Sequence, residues 1–255
     1  MVPHDGAERR AGQQAYARNA ANVFAPRQAR GRPHMLLAQA GTGIGKTLGY
    51  LASASLWAEQ SGGTVWVSTY TKNLQRQLRR ESARAWPQQR ADGSRPVVVR
   101  KGRENYLCLL NLEDALQGGF AGRAAILAHL VARWAAYSAD GDMVGGDLPG
   151  WLVTLFRRNG SAALTDRRGE CVYAGCPHYR KCFIEHAARA SAEADLVIAN
   201  HALVMVNAAR GRELSTRPTR YVFDEGHHLF DAADAMFGTA LTGAETIELR
   251  RWIVG

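Results

Sequence analysis

The strongest structural signal in this 255-residue chain is the segment Leu36-Leu37-Ala38-Gln39-Ala40-Gly41-Thr42-Gly43-Ile44-Gly45-Lys46-Thr47-Leu48. An apolar run, a loop with glycine at every second position and a second apolar-periodic segment predict a strand over 36–40, a tight loop and a helix beginning near Lys46. Closely spaced glycines let backbone N–H groups surround phosphate oxygens, and the helix N-terminus adds partial positive charge. The segment therefore predicts a phosphate-binding loop.

The loop also predicts separate roles for its residues. Lys46 is expected to reach the β- and γ-phosphates, and the Thr47 hydroxyl to bind Mg²⁺. The general pattern G-x-x-x-x-G-K-[ST] has glycine where this chain has Ala40. A glycine-rich turn without function is the alternative, and the predicted strand and helix on either side favour nucleotide binding. The predicted nucleotide-binding residues are Ala40, Gly41, Thr42, Gly43, Ile44, Gly45, Lys46 and Thr47.

Composition indicates the class of binding partner and the cellular compartment. Lys and Arg number 32 against 23 Asp and Glu, a net charge of +9, which favours a polyanionic partner, although a GC-rich genome also raises arginine content. The first ten residues lack the apolar core of a signal peptide, and no segment has the length of a membrane span. We expect a cytoplasmic protein without a membrane partner. There, four cysteines are reduced, metal-bound or catalytic rather than paired in disulfides.

Strand and helix patterns alternate along most of the chain. Besides 36–40, strands are predicted at 64–69, 96–99, 195–199 and 220–224, and helices at 8–24, 48–57 and 71–86. This alternation predicts an α/β fold with a doubly wound parallel sheet. Residues 103–190 have helical patterns, notably 124–137, and no parallel-strand signal. The predicted division is therefore an α/β domain over 1–102 and 191–238 with an insertion at 103–190.

An acidic pair follows the last predicted strand. The apolar run 221–223 leads directly into Asp224 and Glu225. A nucleoside triphosphate hydrolase needs one carboxylate for Mg²⁺ and a second to polarise the attacking water. We assign Asp224 to the metal and Glu225 to the general base. An acidic turn at a strand end is the alternative, and the upstream phosphate loop makes it the weaker one.

The four cysteines form a second candidate site. Cys171, Cys176 and Cys182 have the spacing C-x4-C-x5-C, and Cys108 lies well upstream. Four thiolates are a complete ligand set for a tetrahedral Zn²⁺ or for a 4Fe–4S cluster. The spacing lacks the C-x2-C knuckles common at zinc sites, but the residues alone leave both open, with unliganded cysteines as a third alternative.

Several motifs together resemble one family. Asp224-Glu225-Gly226-His227 resembles the D-E-x-H box of superfamily 2 helicases, a group that also accepts alanine at the first loop position. With it, the segments 101–108, 171–182 and 199–205 are similar in order and wording to the DinG branch of XPD-like iron–sulfur DNA helicases. The glycine within the box fits DinG better than XPD.

The resemblance carries specific implications. It implies a RecA-like motor domain, a mainly helical inserted domain with a 4Fe–4S cluster, and ATP-driven 5′-to-3′ unwinding of DNA. It places the cluster on Cys108, Cys171, Cys176 and Cys182 and gives His227 the role of coupling nucleotide state to the DNA site. Implied substrates are single-stranded DNA and duplex, forked or R-loop DNA, in repair and replication or in a CRISPR-associated role.

Other segments resemble DNA- and adenine-contacting parts of the family. Residues 68–78 resemble motif Ia, which grips single-stranded DNA, and the residues carried over are Thr69, Thr71, Lys72 and Gln75. Capping of a helix by Thr71 is the alternative. Arg10-Ala11-Gly12-Gln13 resembles the adenine-reading segment, with Gln13 facing the base. Asn200 and His201 are interpreted as a structural link. Arg103, Arg167, Arg168, Arg180 and Lys181 are candidates for a strand path, although each alone is more simply a solvated charge.

The family uses two RecA-like domains, and the second supplies an arginine finger. Residues 239–255 resemble the start of the family's arch domain, so we expect the arch, the second domain and the finger to be missing from this chain. ATP binding by this chain alone should be weak, and hydrolysis slow. The competing hypothesis is a zinc-stabilised nucleic-acid-binding protein whose phosphate loop is a switch or a relic.

Overall fold

The computed structural model describes residues 11–26, 29, 31–41, 43–155, 161–166, 171–209 and 219–238, with single residues at 243, 246, 249, 250 and 253. The strands are β1 (Thr64–Thr69), β2 (Val97–Val99), β3 (Leu196–Asn200) and β4 (Thr219–Phe223). The helices are α1 (Ala11–Val23), α2 (Lys46–Ser61), α3 (Lys72–Ser82), α4 (Leu109–Asp114), α5 (Arg123–Ala135), α6 (Gly150–Leu155), α7 (Phe183–Glu193), α8 (His201–Ala209) and α9 (Leu229–Phe237).

The four strands form one parallel sheet in the order β2-β3-β1-β4. Val67 of β1 lies opposite Ile198 of β3 on one side and Val222 of β4 on the other. All pairs are parallel, so the carboxyl ends of the strands meet at one edge. The predicted α/β class and parallel sheet are confirmed, and the sheet is compatible with a RecA-like domain.

Alternating side chains of β1 reach cores on opposite faces of the sheet. Val65 and Val67 pack into a core with residues of α2 and α3. Trp66 enters a second core, which includes Ala194 after α7 and Val204 of α8. Both faces are covered, which explains why β1 is buried along its whole length and reads as a continuous β-branched run.

Residues between β2 and β3 have a hydrophobic core of their own. It includes Leu127 and Val131 on one face of α5, together with Leu107 and Leu164. The buried members of this core all lie between residues 107 and 164. The described residues of 103–190 contain no strand of the sheet, only isolated bridges.

The chain leaving β2 is tied down by charged contacts. Lys101 forms an ion pair with Asp142 and donates to the carbonyl of Val144 at 2.8 Å. Lys72 Nζ, at the start of α3, donates to Asn105 Oδ1 at 2.7 Å. These contacts fix the start of the 103–190 segment against the carboxyl edge of the sheet.

Two local predictions were wrong. Residues 31–41 contain no strand, and the side chain of Leu37 is 95% exposed. Residues 33–36 instead line a pocket beside the end of α1. A short apolar run has no periodicity that fixes its pairing partner, so its sequence alone does not place it in a sheet. Helix α3 ends at Ser82, four residues before the predicted end, and a turn then buries Trp86.

Helix α2 offers a direct test of the core. Leu51 is 1% exposed, whereas Leu56 on the same helix is 59% exposed. We expect Leu51→Ala to lower the free energy of unfolding by about 2–5 kcal/mol, because it removes buried methyl groups and leaves a cavity. Leu56→Ala is the matched control, with an expected change within about 0.5 kcal/mol. Urea unfolding followed by circular dichroism measures both, and equal losses would contradict the assigned core.

Candidate nucleotide-binding site

The loop before α2 is folded around its own lysine. Gly43 and Gly45 have φ of +82° and +85°, a backbone region that favours glycine. Lys46 Nζ donates to the carbonyl oxygen of Ala40 at 3.3 Å. Position 40 therefore contributes its carbonyl to this contact, and the methyl group that replaces a glycine hydrogen plays no part in it. Thr42 lies outside the described residues.

The acidic pair lies beside this lysine. Asp224 follows β4 directly, and its N–H donates to the Ser68 carbonyl of β1 at 2.8 Å. Glu225 Oε1 lies 3.8 Å from Lys46 Nζ. Glu225 has φ +56°, the left-handed region, which turns the chain sharply at the strand end. The structure thus brings the predicted base and the predicted phosphate-binding lysine together.

Tyr50 is a site residue that the sequence analysis missed. Its hydroxyl donates to Asp224 Oδ2 at 3.4 Å, and Thr47 hydrogen-bonds to the same phenol. The phenol therefore joins the two residues predicted to bind Mg²⁺. The available signal was spacing, since Tyr50 lies one helical turn after Thr47. Burial first, and then Asp224, raise the pKa of Tyr50 well above its usual value, so the phenol stays a neutral donor.

Asp224 is held in an environment unfavourable to its charge. Burial is the main cause that raises its pKa above the ordinary value, and the neighbouring Glu225 charge adds to it. Lys46 and the Tyr50 hydrogen bond oppose the shift. A divalent cation at this carboxylate would supply the missing charge compensation.

Gln13 reaches the loop from α1. Its Nε2 donates to the Gly45 carbonyl at 3.3 Å. Helix α1 packs closely on α2 because Gly49 has no side chain, and a Cβ there would lie 2.7 Å from Tyr16 Cδ1. Gln13 is therefore placed at the nucleotide loop, and its contact with adenine stays a prediction. Arg10 lies outside the described residues.

Two histidines near the acidic turn, His227 and His201, differ in exposure. His227 Nδ1 is 3.6 Å from Glu225 Oε2, and its side chain is 66% exposed. His201 is buried, with Nδ1 2.6 Å from Ser68 Oγ, and burial lowers its pKa. The contact joins α8 to β1, and the predicted role of His201 as a link between the cluster domain and the sheet stays a prediction. The coupling role of His227 stays a prediction.

The predicted DNA-contacting residues divide into two groups. Thr71 and Lys72 are exposed, whereas Thr69 and Gln75 are buried. Thr71 Oγ1 accepts the Leu74 N–H at 3.2 Å, so helix capping by Thr71 is real. Direct strand contact by these four side chains stays a prediction, with surface area available at Thr71 and Lys72.

All four cysteines line one pocket between the start of α4 and α7. None of them forms a disulfide. Arg103 lies at the same pocket, pairs with Asp166 and places its guanidinium 4.9 Å from the Tyr173 ring centroid. Burial is the main cause that raises the pKa of the Cys108 and Cys182 thiols. Among the described residues, no three His, Cys, Asp or Glu side chains form a group that could hold a metal ion.

Four features identify the class of protein: a parallel sheet, a glycine loop leading into α2, Lys46, and two carboxylates at a neighbouring strand end. This is the arrangement of a P-loop nucleotide-binding domain. No protein-family model matches the chain. No helix among the described residues is long and apolar enough to cross a membrane.

Sequence comparison shows which known proteins this chain resembles. The chain is 32% identical over 225 residues to "ATP-dependent DNA helicase YoaA" of Haemophilus influenzae, covering 84% of this chain and 33% of that protein. It is 33% identical over 262 aligned positions to "ATP-dependent helicase DinG" of Mycobacterium tuberculosis, covering 94% and 37%. It is 31% identical to "3'-5' exonuclease DinG" of Bacillus subtilis, covering 94% and 24%. Over most of its own length the chain is therefore similar to proteins named YoaA and DinG, and it spans between about a quarter and just over a third of these relatives' lengths.

The raised pKa of Asp224 leads to a testable prediction about how the free energy of unfolding depends on pH. Because its pKa is raised in the folded state, the folded protein binds a proton there more tightly than the unfolded chain. Stability is therefore lost as pH rises above the range where an unfolded carboxyl titrates. Asp224→Asn removes this charge and should stabilise the nucleotide-free protein at neutral pH by on the order of 1 kcal/mol.

The gain from Asp224→Asn should shrink as pH is lowered toward the ordinary carboxyl range. Urea unfolding at several pH values measures it. The exposed Asp234 on α9 is the matched control, and Asp234→Asn should show no such pH-dependent gain. A destabilised Asp224→Asn protein at neutral pH would contradict the assigned environment.

Proposed function

We propose that this chain is the ATP-binding part of a DNA helicase motor of the XPD-like iron–sulfur type. The observation that carries the proposal is the meeting of loop and acidic pair, in which Tyr50 and Asp224, 174 residues apart, are joined by a hydrogen bond beside Lys46. Two YoaA relatives and the Mycobacterium DinG are named ATP-dependent helicases, and these names support ATP as the nucleotide.

Each residue has a chemical role in this proposal. Backbone N–H groups of 40–45 and the α2 N-terminus hold the phosphates, and Lys46 neutralises the β- and γ-phosphate charge. Thr47 and Asp224 would hold Mg²⁺, which supplies charge neutralisation at the phosphates. Glu225 accepts the proton of the attacking water, and Gln13 reads the adenine edge. Tyr50 keeps Thr47 and Asp224 in register.

The motor cycle needs a second domain. An arginine finger from that domain would be worth roughly 10³–10⁵ in rate, as it is in other P-loop enzymes. The division into 1–102, 103–190, 191–238 and an arch beginning at 239–255 is part of the proposal. The arch segment falls almost entirely outside the described residues.

The pocket lined by four cysteines supports a 4Fe–4S cluster at Cys108, Cys171, Cys176 and Cys182. The four thiols line one pocket and form no disulfide, so a complete set of four thiolate ligands is gathered in one place. The guanidinium of Arg103 at the pocket complements the negative charge of a thiolate-bound cluster. When bound, the cluster would supply a structural cross-link between α4 and α7.

The DNA side of the proposal rests on charge and surface. The net charge of +9 and the exposed Thr71 and Lys72 suit a single strand crossing the carboxyl edge of the sheet. The proposal includes 5′-to-3′ movement on single-stranded DNA, unwinding of duplex, forked or R-loop substrates, a role in DNA repair, and a cytoplasmic location. A CRISPR-associated role is the alternative within the same class.

Lys46 tests nucleotide binding. Lys46→Ala should weaken binding of Mg·ATP by roughly 10- to 100-fold, the usual loss when a charged hydrogen bond to a ligand is removed. Equilibrium binding of a fluorescent ATP analogue measures the loss. The control is Lys181→Ala, which removes an exposed charge near the cysteine pocket. Unchanged affinity in Lys46→Ala would refute the assigned phosphate site.

Visible absorption tests whether the cysteine pocket holds a 4Fe–4S cluster or zinc. Protein prepared anaerobically should show broad visible absorption that dithionite bleaches, together with bound iron and sulfide, because zinc is colourless. Cys176→Ser should lose most of this absorption. His178→Ala is the control, since His178 lines the pocket but contacts Glu113 and is not one of the four cysteines. Stoichiometric zinc in a colourless protein would favour the zinc-stabilised alternative.

A further inference from the structure

Two aromatic rings join the acidic turn to the segment after β1. The Tyr70 and His228 rings are stacked, with centroids 3.7 Å apart and planes 13° from parallel. Tyr70 lies between Thr69 and Thr71, in the segment predicted to grip DNA. His228 lies three residues after Glu225, in the turn that carries the general base. The stack therefore connects the two predicted ligand sites of this domain.

The contacts continue from the stack to the phosphate loop. The His228 and His227 rings have centroids 4.1 Å apart. His227 Nδ1 lies 3.6 Å from one carboxylate oxygen of Glu225, and the other oxygen lies 3.8 Å from Lys46 Nζ. An unbroken series of side-chain contacts thus runs from the phosphate-binding lysine to Tyr70.

On its other side, Tyr70 leads directly into α3. Thr71 caps this helix through its bond to the Leu74 N–H, and Lys72 is the first helical residue. A displacement of Tyr70 would therefore be passed through the backbone to the exposed N-terminus of α3. That N-terminus carries the accessible polar groups of the predicted DNA site, namely Thr71 and Lys72.

The stack contributes little to the hydrophobic core. Tyr70 is 51% exposed, and neither ring belongs to the three core clusters of the described residues. The His228 side chain is also partly exposed, at 31%, so a rearrangement of the pair would not open any of the three cores. The position of the stack between two ligand sites is thus better explained by positioning than by fold stability.

We infer that the Tyr70–His228 stack is the positioning contact through which a bound nucleotide and a bound DNA strand affect each other's affinity. The inference rests on the proposed function. A nucleotide that moves the Glu225–His228 turn changes the position of the His228 ring that stacks on Tyr70. A DNA strand bound to residues 69–75 would move Tyr70 and so act on His228 in the reverse direction. Coupling of binding free energies is reciprocal, so both directions must show the same factor.

The test measures that factor with fluorescently labelled oligo(dT) and a non-hydrolysable ATP analogue with Mg²⁺. Affinity for each ligand is determined with and without saturating amounts of the other, using the 255-residue chain. The wild-type ratio is expected to be about fivefold or more, the lower end of typical allosteric coupling. Tyr70→Ala and His228→Ala should each bring the ratio close to one, and the double variant should change it no further.

Conservative and distant substitutions separate positioning from folding. Tyr70→Phe keeps the ring and should keep the wild-type ratio. Tyr137→Ala removes a tyrosine that is 87% exposed and lies far along the chain, so it is the matched control and should also keep the ratio. Thermal unfolding of each variant confirms that the chain is folded.

The possible outcomes separate failure of this inference from failure of the proposed function on which it rests. If Tyr70→Ala lowers both affinities but leaves the ratio unchanged, the stack is only structural and the inference is overturned. The same holds if the wild-type chain binds both ligands with a ratio of one. If the wild-type chain binds neither ligand, the proposed function itself fails, and the inference falls with it.

Discussion

The parallel pairing of β1 with β4 is the constraint on which the site depends. The register places Ser68 opposite Phe223, and the Ser68 carbonyl accepts the next N–H, that of Asp224. This bond fixes where β4 ends and the acidic turn begins. A slip of one residue would exchange the side-chain faces of β4 and move both carboxylates away from Lys46. The nucleotide site is thus assembled by backbone hydrogen bonds rather than by the acidic side chains themselves.

The same site places charged groups where their charge is costly. Asp224 is partly buried beside another carboxylate, and Lys46, the Tyr50 phenol and a backbone hydrogen bond at Glu225 compensate its charge only in part. Such an arrangement destabilises the empty domain and is relieved when a cation binds. Stability and the proposed Mg²⁺-binding role therefore make opposite demands on Asp224, which is typical of positions that carry chemistry.

The segment between β2 and β3 extends the sheet domain without altering it. Strands β2 and β3 are parallel neighbours in the sheet, so the segment leaves β2 at the carboxyl edge and crosses to the opposite edge before it enters β3. The segment buries its own apolar residues, and the cysteine pocket lies beside that core. Lys101 and Lys72 anchor it near the predicted DNA-contacting surface through Asp142 and Asn105.

Local chemistry was enough to predict the glycine loop, the helix after it, four parallel strands and the acidic pair, because each has a short-range signature in glycine spacing, β-branched runs or strand-end carboxylates. The same reasoning wrongly predicted a strand at 36–40, since an apolar run does not determine which strand it would pair with. It could not foresee that Gln75 and Thr69 are buried.

Only the tertiary structure revealed Tyr50 on Asp224, His201 on Ser68 and Tyr70 on His228. These contacts join residues distant in sequence, and their partners are set by strand order and register. The sequence by itself determined which chemical groups this protein possesses. The packing of the sheet decided which of those groups meet, because side chains far apart in sequence are brought together only by the pairing of their strands.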